Sequence, residues 1–273
     1  MSASPLPVVV TRLRAAGCVF AEDEARLLIS AAGTPADLAA MVDRRAAGVP
    51  LEHILGWVEF CGVRIVVDPA VFVPRRRTEF LVRQAAALAR LAVGPADQTL
   101  SGSRAVVVDL CCGSGAVGAA LVAALHRVEL HAVDIDPAAV RCARRNVAAG
   151  GQVYEGDLYE PLPAGLRGRV HVLVANAPYV PTEAVELLPP EARIHEPRVA
   201  LDGGPDGLDV LRRVTAAAAP WLAPAGSLLV ETSERQAPQI AETVARSGLI
   251  PRVTRSGELQ ATVVIGTKPA PGA

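Results

Sequence analysis

Apolar residues recur along this chain with two periods, and the change from one to the other divides it. Over the first 49 residues the spacing is helical. Val10 and Leu13 share a short segment, Ala25, Leu27 and Leu28 follow an acidic first turn at Ala21-Glu22-Asp23-Glu24, and Leu38, Met41 and Val42 form a third amphipathic stretch. Gly33 and Gly48 punctuate them, which predicts a small helical bundle. From 55 to 73 the character changes. Trp57, Phe60, Val63, Ile65, Val67, Val71 and Val73 are β-prone and broken by Gly62 and Asp68-Pro69, the pattern of a hairpin. Pro74-Arg75-Arg76-Arg77 then leads to Thr78, a fair N-cap for a helix running to about Leu91.

After a loop marked by Gly94-Pro95 and Ser101-Gly102-Ser103, short apolar runs alternate with helical patterns. Strands are expected at Ala105–Leu110, Val128–Asp134, Gln152–Tyr154, Val170–Ala175 and Ser227–Glu231. Helices are expected at Ser114–Leu125, Pro137–Ala148, Pro205–Ala219 and Pro238–Arg246. Such alternation predicts a largely parallel sheet covered by helices on both faces. Arg252–Thr254 and Ala261–Ile265, joined through Ser256-Gly257, read as a closing antiparallel hairpin. Val180–Gly204 has four prolines and no period, so it is either a lid or groove beside a site or a rigid connector.

Composition narrows this picture. Of 273 residues, 51% are hydrophobic, enough for a sizeable core. The net charge of −1 argues against an electrostatic grip on nucleic acid by the whole protein. Val106–Leu125 is nearly free of charge, but Asp109 and the glycines after it argue against a membrane span. Cys18, Cys61, Cys111, Cys112 and Cys142 are odd in number and form no CxxC pair, so they read as reduced thiols packed as small hydrophobes. The histidines (His53, His126, His131, His171, His195) lack ligand-like spacing, so no metal is expected. With no secretory pattern at the N-terminus, a cytoplasmic protein is expected.

The candidate chemistry sits where predicted strands end. Asp109-Leu110-Cys111-Cys112-Gly113-Ser114-Gly115 closes the first strand of the alternating region, and glycines there allow a tight turn and close approach of backbone to a ligand. Gly113, Gly115 and Gly118 also match GxGxxG, so this spacing leaves a dinucleotide and S-adenosylmethionine both open. Asp134 is placed for a ribose in either case, while Asp136 before Pro137 is the better helix cap. Asp109 could pair with the ammonium group of a methionine moiety, which a dinucleotide lacks. Asp157, in Gly156-Asp157-Leu158, could accept from an adenine amino group. Each of these acids is also readable as a loop or capping residue. Cys111 and Cys112 read as loop packers rather than nucleophiles.

Val170–Ala175 ends abruptly at Asn176-Ala177-Pro178-Tyr179. Alone this is a turn, but in an open α/β sheet the strand ends carry the ligand. An amide nitrogen is a poor nucleophile because its lone pair is delocalised. The Asn176 side-chain oxygen and the Ala177 carbonyl could hold its two N–H bonds and aim the nitrogen at a sulfonium methyl, with Tyr179 as a wall. Asn-Ala-Pro-Tyr resembles the Asn-Pro-Pro-Tyr motif of amino-methyltransferases, and Asp109–Gly115 resembles their cofactor loop with Cys111 in place of the usual first glycine.

Three further blocks narrow the match: Pro50–Gly56, Pro74–Glu79, and Glu196-Pro197-Arg198 with Ala200–Gly207. Together they resemble the HemK/PrmC-like protein-(glutamine-N5) methyltransferases over almost the whole chain. The resemblance implies a class I S-adenosylmethionine-dependent methyltransferase, an α/β Rossmann-like fold with a seven-stranded sheet, in residues 77–268. It implies a helical substrate-recognition domain in 1–52 and a β-hairpin linker in 53–76. It also implies that Cys111, Cys112, Gly113, Ser114, Gly115, Asp134, Leu158 and Asn176 contact S-adenosylmethionine. Asn176, Ala177, Pro178 and Tyr179 would bind a glutamine of a protein substrate, a release factor for the best-known members. Ala177 departs from the family's proline, and Arg76-Arg77 stand where the family usually has Pro and an acidic or similar residue. The three arginines read either as a solvated turn or as a substrate-facing rim, and Glu196, Arg198 and Asp202 as braces for the loop. Methylation of an exocyclic amine on nucleic acid, and a non-catalytic cofactor-binding protein, are the competing functions.

Overall fold

The computed structural model describes residues 5–93, 104–125, 127–147 and 150–270. The loop expected around Gly94-Pro95 and Ser101-Gly102-Ser103, and His126, lie outside the described residues. Three helices, α1 (Leu6–Ala15), α2 (Ala21–Ala31) and α3 (Pro35–Ala46), close on a small core of Val9, Leu13, Ala25, Leu28 and Val42. Thr34 caps α3, its hydroxyl accepting the Asp37 N–H at 3.1 Å. A short α4 (Leu51–Leu55) leads into a hairpin of β1 (Trp57–Phe60) and β2 (Val63–Val66). Its two turn residues, Cys61 and Gly62, both have positive φ, the geometry that matches a two-residue turn to strand twist.

A 3₁₀ turn at Arg76–Thr78 precedes α5 (Glu79–Val93), so Thr78 enters a buried turn before the helix. The sheet then forms from β3 (Ala105–Leu110), β4 (Val128–Asp134), β5 (Gly151–Glu155), β6 (Val170–Ala175), β7 (Leu222–Thr232), β8 (Ile250–Ser256) and β9 (Ala261–Thr267). Its seven strands run in the order β5-β4-β3-β6-β7-β9-β8, with only the pairings of β9 antiparallel. The helices α6 (Ala116–Ala124) and α7 (Pro137–Asn146) pack with α5 on one face. On the other face lie α9 (Asp209–Ala218) and α10 (Ala237–Arg246), which follow a one-and-a-half-turn α8 (Pro190–His195). This is the seven-stranded α/β sheet that the resemblance implies, and β3, β4 and β6 occupy the predicted residues without displacement.

Three expectations shift. The helix expected from Pro205 begins at Asp209, because 203–208 folds as a turn with Gly204 and Gly207 at positive φ. The strand expected at Ser227 begins at Leu222, with an irregular register against β6 near Val170. Val180–Gly204 is ordered by 3₁₀ turns at Thr182–Leu187 and Arg198–Ala200, by α8, and by a bridge between Val180 and Asp202. Asp202 accepts from Thr182 Oγ1, Gly204 N and Arg198 Nε at 2.7, 3.0 and 3.1 Å, the bracing role expected for it. Among the described residues, no helix is long and apolar enough to cross a membrane.

Polar ties join the helical bundle and the loop after the hairpin to α8 and the residue that follows it. Arg45, 8% exposed on α3, donates to Glu24 of α2 and to Glu191 of α8, each at 2.6 Å. The buried His53 ring bonds the Val71 carbonyl at 2.8 Å. Glu196 accepts the Val73 N–H at 3.1 Å and pairs with Arg75 at 2.6 Å. Arg45→Ala leaves Glu24 nearly buried without its cation, an expected loss of ~3 kcal/mol in urea unfolding. Glu191→Ala removes only the more exposed partner and is expected to cost less than ~1 kcal/mol. Equal losses for the two variants would contradict this assignment.

Candidate active site

The register of the sheet brings the loops together. Leu110 of β3 lies opposite Val133 of β4 and Ala175 of β6, and Ala175 opposite Val230 of β7. The next residue along each strand is therefore Cys111, Asp134, Asn176 or Glu231, in one row across the carboxyl ends. After β3 the chain turns through Cys111, Gly113 and Gly115, all with positive φ, and Gly115 caps α6. A Cβ on Gly118, in the first turns of α6, would lie 2.9 Å from Leu130 Cδ2 and 3.2 Å from Asp109 Oδ2, so a larger residue there would push on both side chains.

Asp134 ties two of these loops. Its Oδ2 accepts the Gly113 N–H at 2.7 Å and its Oδ1 the Asp136 N–H at 2.9 Å. Asp136 in turn caps α7 at Ala138, as the Asp-Pro pair predicts. Beyond β5, Asp157 pairs with Arg213 at 2.6 Å and Leu158 adopts φ +49°. Cys111, Cys112, Gly113, Ser114, Asp134, Asp157, Leu158, Asn176 and Pro178 all line one cavity of about 240 Å³. Phe60 and Phe72, from the hairpin and the loop after it, also line it, as do Val199 and Ala200 and the exposed Ile135. Asn176 Nδ2 donates to Thr78 Oγ1 at 3.4 Å, which leaves the amide oxygen of Asn176 as the acceptor.

Four expected site residues do not line this cavity: Asp109, Gly115, Ala177 and Tyr179. Asp109 is 1% exposed and accepts the Gly118 N–H at 2.9 Å, so it braces the loop from below. Burial raises its carboxyl to about 7, against the lowering effect of that hydrogen bond. Ala177 is 1% exposed within the core under the sheet. Burial also raises the thiols of Cys111 and Cys112, which suits packing and not nucleophilic attack.

Tyr179 lines a second cavity of about 340 Å³, together with Pro50, Phe72, Arg75, Arg77, Leu188 and others. Its hydroxyl donates to Glu231 Oε1 at 3.3 Å, and its phenol is pushed up to about 12 by burial and then by Glu231, so it stays protonated. Its carbonyl accepts from Gln236 Nε2 at 3.0 Å, and the same nitrogen donates to the Asp206 carbonyl at 3.1 Å. Val180 bonds Leu201 and Gly203 in both directions. Thr78, Glu231 and Gln236 bond the strand-end turn, although sequence reading had Thr78 only as a helix cap and gave Glu231 and Gln236 no part in the site. Their only local signal is an acid at the last turns of a strand and a Gln before a helix.

Relatives and a family model agree with this geometry. Residues 97–204 match the methyltransferase small domain. The chain is 40% identical over 220 residues to the release factor glutamine methyltransferase of Geobacter sulfurreducens, covering 78% of this chain and 72% of that one. It is 37% identical over 242 residues to the enzyme of the same name from Mycolicibacterium smegmatis, covering 87% and 82%. This chain belongs to the release factor glutamine methyltransferase family. Solved structures support the fold at low identity. A methyltransferase from Pyrococcus furiosus matches with TM-score 0.55 at 15% identity, over 76% of this chain and 90% of that one. A ribosomal protein L11 methylase from Lactobacillus delbrueckii matches with TM-score 0.52 at 15% identity, over 74% and 84%.

The loop after β3 carries Cys111 in a left-handed conformation that costs an L-residue about 1–2 kcal/mol. Cys111→Gly is expected to stabilise the protein by about 0.5–1 kcal/mol after the extra entropy of an unfolded glycine is deducted. A lower melting temperature would contradict the strain. Asp109 supplies a second test. Between about pH 4 and 7 the unfolded chain releases a proton that folded Asp109 retains, so this group's contribution to stability falls as pH rises through that window and is level above it. Asp109→Asn, which keeps an oxygen for Gly118, is expected to flatten that part of the stability profile, read by denaturant unfolding between pH 4.5 and 8.

Proposed function

We propose that this chain transfers the methyl group of S-adenosylmethionine to the side-chain amide nitrogen of a glutamine in a peptide chain release factor. One observation carries the reading: Asn176-Ala177-Pro178-Tyr179 is the partition between the two cavities, with Asn176 and Pro178 on the first and Tyr179 on the second. A donor bound in the first and a polypeptide entering from the second would meet at this turn. The names of the relatives supply the substrate, and a release factor as substrate would place the activity in the cytoplasm.

The first cavity fits the donor. Gly113 has open space where a Cβ would stand, so ligand atoms can approach its backbone. Asp134 gives the wall an acidic acceptor suited to a ribose, while the charge of Asp157 is matched by Arg213 on the same wall. Each Asp134 oxygen retains a lone pair beyond the backbone N–H it accepts. Ile135, 53% exposed yet on the cavity wall, offers an apolar plate for a flat base. When bound, S-adenosylmethionine supplies an electrophilic methyl group on a positively charged sulfur.

The protein's share of the chemistry is orientation. Asn176 presents its amide oxygen to the first cavity, with its nitrogen held by Thr78, and the family resemblance gives the second glutamine N–H to the Ala177 carbonyl, which is buried here. Alignment of this kind supplies ~7–11 kcal/mol toward a transfer barrier. The amide proton is lost to water once nitrogen carries the methyl group, so no side-chain base is needed beforehand. Tyr179, held protonated, serves as a wall and not as a base.

Incubation with labelled S-adenosylmethionine and a bacterial release factor, followed by mass spectrometry of the labelled peptide, tests the reading directly. A label on a glutamine is expected, and a label on nucleic acid instead would overturn it. Asn176→Ala is expected to lower transfer at least ~100-fold while cofactor affinity, measured by calorimetry, stays within about three-fold. Undiminished turnover in that variant would sink the orienting mechanism.

A further inference from the structure

Arg77 lies at the edge of the second cavity, and its neighbours hold it there. Its Nε donates to Glu231 Oε1 at 3.2 Å, and its guanidinium carbon lies 5.9 Å from the centre of the Tyr179 ring. Glu231 is 1% exposed at the end of β7, in the same row as Asn176. Its Oε2 is buried with no hydrogen-bond partner among the described residues. A carboxylate so placed is costly unless a cation matches it, which fixes Arg77 from one side. The Arg77 side chain nevertheless remains 46% exposed. A guanidinium has five N–H donors, and Glu231 with the Tyr179 hydroxyl occupies no more than two of them.

The remaining donors call for an acceptor, and the surroundings select its charge. Glu231 already balances Arg77, and Glu52, Glu191 and Glu196 line the same cavity. A carboxylate arriving there would meet more acid than free cation, whereas a neutral carbonyl oxygen loses nothing. Arg75 also lines the cavity, but its side chain is less exposed, 32%, with Nη2 on Glu196 at 2.6 Å and its guanidinium over the Phe72 ring. Resting on the glutamine reading above, we infer that Arg77 is the specificity-determining contact for the polypeptide that flanks the acceptor glutamine. It donates to a main-chain carbonyl of that polypeptide, and Glu231 is the positioning residue that holds its guanidinium in place. The enzyme thereby distinguishes a glutamine within a chain from the free amino acid, and neutral flanking residues from acidic ones.

Steady-state kinetics with the full-length enzyme and a bacterial release factor test this, with KM and kcat separated and cofactor Kd measured by calorimetry. Arg77→Lys keeps a cation opposite Glu231 but removes the planar fork. It is expected to raise KM for the release factor about tenfold, with the effect falling on KM rather than on kcat or cofactor Kd. Glu231→Gln retains an oxygen for the Tyr179 hydroxyl and frees Arg77. It is expected to raise the same KM by about three-fold or more, and to add little in the double variant. An unchanged KM in Arg77→Lys, with normal wild-type turnover, overturns the inference alone. Equal loss of cofactor affinity and acceptor affinity reduces Arg77 to a structural prop and also overturns it. A wild-type enzyme that leaves the release factor unmethylated overturns the functional reading, and this inference with it.

Discussion

Parallel pairing of β3 with β4 on one side and β6 on the other is the constraint on which the site depends. A parallel ladder fixes which residues lie level, and here the level row at the carboxyl ends holds Cys111, Asp134, Asn176 and Glu231. Each is the first residue beyond a paired apolar position, or the next along the same strand. A slip of one residue would turn the side chains of a strand to the opposite face and empty the row. The near-continuous burial of β3 and β6 on both faces makes such a slip expensive, so the geometry of the site is secured by apolar packing well below it.

The upper boundary of the site is built differently. Phe72 and Pro74 come from the loop after the hairpin, and Val199 and Ala200 from the segment after α8. These pieces are joined by charge: Glu196 holds Val73 and Arg75, while Arg45 reaches from the helical bundle to Glu191. The bundle and the segment over the cavity are thus linked through α8.

Legibility in the sequence followed the same division. β3, β4 and β6 were readable residue by residue because a buried parallel strand is a bounded apolar run, and Asn176 was readable because it ends one. Asp136 was readable as a cap because capping is local. The bracing bond of Asp109 is not legible, because its partner, the Gly118 N–H, belongs to the helix behind the loop, and spacing cannot show on which side of a loop an acid lies. Arg77, Tyr179 and Glu231 come together across 52 and 154 positions of chain, and no local pattern announces that meeting. The start of α9 was set too early because Pro205 looks like a helical first position, while the neighbouring glycines were needed for a turn.

The Gln236 side chain has a consequence for Ala177. By bonding the Tyr179 carbonyl and the Asp206 carbonyl with one nitrogen, and with Val180 zipped to Leu201 and Gly203, the surroundings immobilise the strand-end turn from outside. A ring at the second position would restrict the same torsions from within. Where the scaffold already supplies that stiffness, the ring is redundant, and the backbone can carry an ordinary residue there without loosening. Ala177 thus stands as a mark of borrowed rigidity: the order of the reactive turn is a property of its neighbours' hydrogen bonds and not of its own composition.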